Sequence, residues 1–206
     1  MQFEGIYTPV ITPFHNDGSV DKEGFAEILE FLIDAGTHGI VVAGTTGEYY
    51  AQTTEERTHL MQYAHQVING RVPMMVGVGA IRTEDSIELA QIARQTGADA
   101  LLVNSPPYVL PTETENAAHA LAIDKAADLP IMLYNYPGRT GVGMGEDYLN
   151  QVSASRNFCA IKESSGDINR LHLLANDFPN IQLSCGADDQ ALEFFVWGAR
   201  SWVCAG

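Results

Sequence analysis

Short apolar runs and amphipathic stretches alternate along the whole chain. Ile6 to Phe14, apolar and rich in Thr and Pro, ends in the turn Asn16-Asp17-Gly18 and reads as a first strand. Phe25, Ile28, Leu29, Leu32 and Ile33 then keep helical spacing, with Gly36 as the stop. Gly39 to Ala43 is apolar throughout, as a strand buried on both faces must be. The capping-box patterns Thr53-x-x-Glu56 and Thr112-x-x-Glu115 open helices that end near Asn69-Gly70 and Asp128. Further strands are predicted at Pro73 to Gly79, Ala100 to Asn104, Pro130 to Tyr134, Phe158 to Lys162, Ile181 to Cys185 and Ser201 to Ala205. Helical stretches lie between them, from Thr83 to near Gly97, Asp147 to Val152, Asp167 to Asn176 and Ala191 to Trp197.

Strands that alternate with helices at intervals of about 20 to 34 residues form the pattern of an α/β protein, specifically a (β/α)8 barrel. An open doubly wound sheet is the alternative. It would call for G-x-G-x-x-G after the first strand, which is missing, and for polar candidates at one switch point, whereas here they follow several strands. The expected organisation is one barrel domain over residues 1–206. The chain ends directly after the eighth strand, so the eighth helix is expected to be missing.

Charge narrows the set of partners. With 11 Lys and Arg against 26 Asp and Glu, a net charge of -15, the chain has no basic stripe for a phosphate backbone or an anionic bilayer. Neither nucleic acid nor membrane is an expected partner. A small anionic substrate would need a local cation inside a repulsive field. Cys159, Cys185 and Cys204 show no C-x-x-C spacing, and the N-terminus lacks a basic segment followed by an apolar one, so the expected location is cytoplasmic.

The candidate chemistry starts at Lys162, one of three lysines in the chain. It ends the apolar run Phe158 to Ile161 and precedes the polar turn Ser164-Ser165-Gly166. A lysine there is either desolvated into a neutral nucleophilic amine or snorkels out to an ion pair with Glu163. After strand two comes Gly44-Thr45-Thr46-Gly47-Glu48, a turn able to hold a carboxylate or simply to join strand and helix. After strand four, Ser105-Pro106-Pro107-Tyr108 presents a phenol for packing or for proton transfer. Tyr134 ends strand five, and Arg139 follows in a Gly/Pro-shaped loop, either as the local cation or as half of a surface ion pair. Together a neutral lysine, a phenol, hydroxyls and an arginine are the parts for imine formation with a 2-oxo acid and bond chemistry at its methyl group.

Three ordered segments, Gly-Thr-Thr-Gly-Glu at 44–48, Tyr-Asn-x-Pro-x-Arg-Thr-Gly at 134–141 and Ile-Lys-Glu-Ser-Ser-Gly-Asp at 161–167, resemble the dihydrodipicolinate synthase and N-acetylneuraminate lyase family. The resemblance covers the whole chain, and it implies a (β/α)8 barrel followed by a small C-terminal helical region that is expected to be missing here. It implies a Schiff base between Lys162 and pyruvate, with Tyr134 as acid and base and with Thr45 and Tyr108 as its proton relay. Tyr108 would reach the site of a neighbouring subunit. It further implies Thr45 and Thr46 at the pyruvate carboxylate, Arg139 at the carboxylate of the second substrate, and Gly186 as a substrate-binding position. Arg139 points to the synthase branch, whose aldehyde is aspartate semialdehyde. No metal or organic cofactor is expected, since the lysine is the electron sink, and a homodimer or homotetramer is. Tyr49, Tyr50, Ile81, Pro107 and Val109 depart from lysine-regulated synthases, which speaks against feedback by lysine. They also leave open an aldolase or dehydratase of a 2-oxo-3-deoxy sugar acid, or a non-catalytic binder of 2-oxo acids.

Overall fold

The computed structural model of the protein describes residues 1–204. Eight parallel strands close into a barrel in sequence order: β1 Gly5–Pro9, β2 Gly39–Val42, β3 Met74–Gly77, β4 Ala100–Asn104, β5 Ile131–Asn135, β6 Phe158–Glu163, β7 Gln182–Cys185 and β8 Ser201–Val203. Closure comes from pairing of β1 with β8, where Gly5 faces Ser201 and Tyr7 faces Val203. The helices are α1 Lys22–Asp34, α2 Thr54–Ile68, α3 Thr83–Thr96, α4 Glu113–Ala127, α5 Pro137–Thr140, α6 Glu146–Val152, α7 Ile168–Asp177 and α8 Ala191–Val196. This is the (β/α)8 barrel expected from the alternation. Among the described residues no helix is long and apolar enough to cross a membrane.

The helix starts are written in side chains. Thr53 and Thr112 each cap the amide three residues on, and Glu56 and Glu115 reach back to the cap amide, so both capping boxes form in full. Asp21 caps α1 through Gly24 N at 2.9 Å. Asn69, Gly97 and Asp128 take the left-handed conformation that stops α2, α3 and α4.

Two apolar clusters result from the alternation of side chains along the strands. The outer one joins strand residues such as Ile40, Val76, Leu133 and Ile161 to the helices, and the inner one fills the barrel with Tyr7, Val41, Met75, Leu102, Met132 and Ala160. Strand β6 carries one residue more than its neighbour: Ile131 pairs with Phe158, but Met132 pairs with Ala160, leaving Cys159 as a β-bulge.

Two details differ from expectation. Strand β1 ends at Pro9, and Phe14 instead makes an isolated antiparallel bridge to Val20. Pro9 and Pro13 have no N–H for a ladder, which confines the pairing. The segment after β5 is not a bare loop but opens with the single turn α5, which Pro137 starts at its first position. Ala205, the expected end of strand eight, lies outside the described residues.

Candidate active site

Because all strands run the same way, their carboxyl ends open on one rim. Tyr134 of β5 and Lys162 of β6 are paired across the ladder, and both point inward. Lys162 is 7% exposed, and its Nζ lies 4.1 Å from the centre of the Tyr134 ring. Burial drives its ammonium down to about 8, with the negative charge of Asp188 acting in the opposite sense. Burial also pushes the Tyr134 hydroxyl up to about 12, while a hydrogen bond with the Thr45 side chain pulls it down. The pair is therefore a readily neutralised amine beside a protonated phenol. The ion pair of Lys162 with Glu163 does not form, because Glu163 faces the opposite side of β6 and meets Arg170 at 3.4 Å.

The turn after β2 is held from below. Thr12 Oγ1 donates to Gly47 O at 2.8 Å and Gln52 Nε2 donates to the same oxygen at 2.6 Å. Ala43 enters the turn at φ 53° and Glu48 leaves it at φ 57°, both in the left-handed region that non-glycine residues seldom occupy. A side chain at Gly77 would collide with Ala43 O, so the neighbouring strand must carry glycine there. Gly186 is equally constrained: a Cβ would run into the Ser164 hydroxyl and stand 2.8 Å from Lys162 Cγ.

A cavity of about 690 Å³ brings together Thr45, Thr46, Tyr134, Arg139, Lys162 and Gly186. Six of the seven expected site residues thus share one space. Arg139 is exposed at its mouth, its guanidinium 5.8 Å from the Tyr136 ring, and it takes part in none of the ion pairs among the described residues. Tyr108 is the exception. At φ 73° and 90% exposure, its ring stands in solvent and does not join Tyr134 of its own chain. Tyr49 is half-buried; its hydroxyl accepts from Asn104 Nδ2 at 3.4 Å and the Arg57 guanidinium lies 5.1 Å from its ring. Tyr50 stays exposed beside the mouth.

Residue-by-residue reading of the sequence missed Tyr136, Asp188 and Asp189, which also line the cavity. Trp202 Nε1 holds Asp188 at 2.8 Å. The signal for both aspartates was available, since they follow the end of β7 and every other site residue was found by that strand-end rule. Among the described residues one cluster, His15, Asp21 and Glu23, has the spacing of metal ligands, and it lies outside this cavity. A second cavity of about 640 Å³, lined by Gln2, Arg156, Cys159 and Arg200, contains none of the expected site residues.

Comparison with known proteins identifies a family of the same fold. The model of the family described as "Dihydrodipicolinate synthetase family" matches residues 2–206. The 4-hydroxy-tetrahydrodipicolinate synthase of Exiguobacterium sibiricum is 38% identical over 202 residues, 98% of this chain and 69% of that protein. That of Bacillus subtilis is 37% identical over 205 residues, covering 98% and 71%. Among solved structures, the 4-hydroxy-tetrahydrodipicolinate synthase of Methylacidiphilum fumariolicum superposes with a TM-score of 0.95 at 32% identity, over 99% of this chain and 68% of that one. YagE, a prophage protein of E. coli K12 solved in complex with pyruvate, gives 0.92 at 30% identity, over 98% and 70%.

Proposed function

The chain belongs to the dihydrodipicolinate synthetase family of pyruvate-dependent lyases and synthases, and from that premise we propose that it is a 4-hydroxy-tetrahydrodipicolinate synthase, condensing pyruvate with aspartate semialdehyde through a Schiff base on Lys162. The observation that carries this reading is the burial of Lys162 against Tyr134, with its pKa near 8. At pH 7 about a tenth of such an amine is neutral, against well under ~0.1% of a free lysine.

The neutral Lys162 amine adds to the pyruvate carbonyl, and the carbinolamine loses water as an iminium ion. Loss of a methyl proton gives the enamine, whose carbon forms the new bond to the aldehyde; water then releases the product and the amine. Tyr134, protonated at neutral pH, gives and takes the protons of these steps, with the Thr45 hydroxyl as its neighbour. Thr45 and Thr46 hold the pyruvate carboxylate, Gly186 leaves room beside the lysine stem, and Arg139 receives the carboxylate of the second substrate. All the chemistry sits in side chains, with Lys162 as the electron sink.

A second reading, an aldolase or dehydratase of a 2-oxo-3-deoxy sugar acid, is favoured by Glu48, Asp188 and Asp189 in the cavity lining. Their carboxylates suit the hydroxyls of such a substrate. A homodimer or homotetramer is supported by the exposed Tyr108, Val109 and Leu110 on the rim, small-molecule partners by the cavity around Lys162, and a cytoplasmic location by three cysteines without C-x-x-C spacing.

Borohydride reduction in the presence of pyruvate, followed by mass spectrometry, tests the mechanism. The expected result is a reduced pyruvyl adduct on the peptide carrying Lys162, absent from Lys162→Ala, whose turnover falls by about 10⁴-fold or more. Saturable pyruvate binding with no adduct would make the protein a binder and end the Schiff-base reading. Turnover of aspartate semialdehyde compared with a 2-oxo-3-deoxy sugar acid then separates the two enzyme readings.

A further inference from the structure

The residues directly behind the catalytic pair are polar, although they face the apolar outer layer. One step beyond Tyr134 and Lys162, Asn135 of β5 and Glu163 of β6 are again ladder partners, and alternation turns both toward the helices. Their strand neighbours on that face are Leu133 and Ile161, both in the outer core. Asn135 is 2% exposed and Glu163 is 1% exposed. A carboxylate buried so deeply is tolerated only where donors surround it.

Those donors make a closed ring. Asn135 Nδ2 donates to Glu163 Oε2 at 2.8 Å, and Asn135 Oδ1 accepts from Met144 N at 3.0 Å. Met144 O accepts from Arg170 Nη2, and Arg170 Nε returns to Glu163 Oε2 at 3.4 Å. The other carboxylate oxygen accepts from Ser165 N at 2.7 Å and so anchors the turn that follows Lys162. Main-chain bonds run alongside, from Ser164 N to Asn135 O at 2.9 Å and from Gly186 N to Glu163 O at 3.0 Å. The ring thus ties together β5, β6, the segment that leaves α5 with Arg139, and the first turn of α7.

We propose that Glu163, Asn135 and Arg170 form a positioning unit whose ring of hydrogen bonds sets the distance and orientation between Lys162 and Tyr134. None of the three lines the cavity, so none is a catalytic residue. They act through the strands: Lys162 and Tyr134 are each one peptide unit from a ring member. An amine and a phenol that must exchange protons through short contacts lose rate when either shifts by a fraction of an ångström. The inference rests on the Schiff-base reading, and its test separates the two.

Glu163→Gln, Glu163→Ala and Arg170→Lys are compared below their melting temperatures, with rates expressed per site trapped by borohydride and pyruvate. Glutamine can accept from both Asn135 and Arg170 on its one remaining oxygen, so the ring survives without the charge, although its amide nitrogen no longer accepts from Ser165 N. Its kcat is expected within about threefold of the parent. Alanine removes both acceptors, and lysine replaces two separated donors by one nitrogen; each opens the ring. For these the expected result is a kcat lower by about tenfold to a hundredfold, with KM for pyruvate within about threefold. Should Glu163→Ala not fold, Arg170→Lys carries the comparison.

A purely structural role lowers the melting temperature and leaves kcat per trapped site untouched. Parental kcat in both ring-opening variants would overturn the inference. So would a glutamine variant that falls as far as alanine, because the charge or the Ser165 contact, and not the ring, would then matter. A parent protein that traps no pyruvate would instead remove the Schiff-base reading, and this inference with it.

Discussion

The two faces of β5 and β6 bury a charge in opposite ways. On the inner face, Lys162 has no hydrogen-bond partner among the described residues, its nitrogen lies over a phenol ring, and its proton is held weakly. On the outer face, Glu163 is more deeply buried, but three donors occupy its two oxygens. Burial alone therefore does not decide whether a group is reactive. A buried ammonium left short of partners holds its proton weakly, and a buried carboxylate supplied with three donors becomes a fastener.

Three substitutions press on this contrast, from the largest effect down. Tyr134→Phe keeps the ring over which Lys162 sits and removes only the hydroxyl. Pyruvate trapping on Lys162 should persist while turnover falls by about 10²- to 10³-fold, measured as kcat against adduct occupancy. Trapping lost together with turnover would mean that the hydroxyl is needed for the amine itself.

Arg170→Ala strips Glu163 of its ionic partner in an almost dry setting, where the two side chains are 15% and 2% exposed. Urea unfolding should show a loss of about 3 kcal/mol. A change under ~1 kcal/mol would place the outer cluster with ordinary surface pairs.

Lys162→Met should have the opposite sign. The lysine binds its proton less tightly folded, near 8, than unfolded, near 10.5, so the unfolded state takes up the proton first as pH falls through that window. Below the window the parent carries the full penalty, and above about 10.5 it carries none. Methionine should then stabilise by about 1 to 3 kcal/mol at pH 7, with the gain fading to nothing by about pH 11. A stabilisation that does not change with pH would trace to packing and not to the ammonium.

How much of this was legible in the sequence follows from the same contrast. The barrel was readable because strands buried on both faces are uniformly apolar and helices carry local caps such as Thr53 and Glu56. Lys162, Tyr134 and the Gly44 to Glu48 turn stood out as polar residues at the ends of apolar runs, which is where a barrel opens. Asn135 and Glu163 share that description, and only the direction of the side chain separates ring from rim. Direction depends on ladder register, which a single chain does not announce. Arg170 lies seven residues beyond Glu163 on the far side of a turn, with nothing local to mark it. The outward stance of Tyr108 rests on a positive φ that its residue type disfavours, a backbone feature that residue type alone does not reveal.

The extra residue in β6 has a consequence of parity. Phe158 faces the helices, and strict alternation from there would turn residue 162 outward and residue 163 inward. Because Cys159 and Ala160 both border the inner cluster, the count is advanced by one and the assignments exchange. The chemical character of the mouth, amine and not acid, is thus decided three residues upstream of Lys162 by an odd or even number, before any property of the lysine itself comes into play.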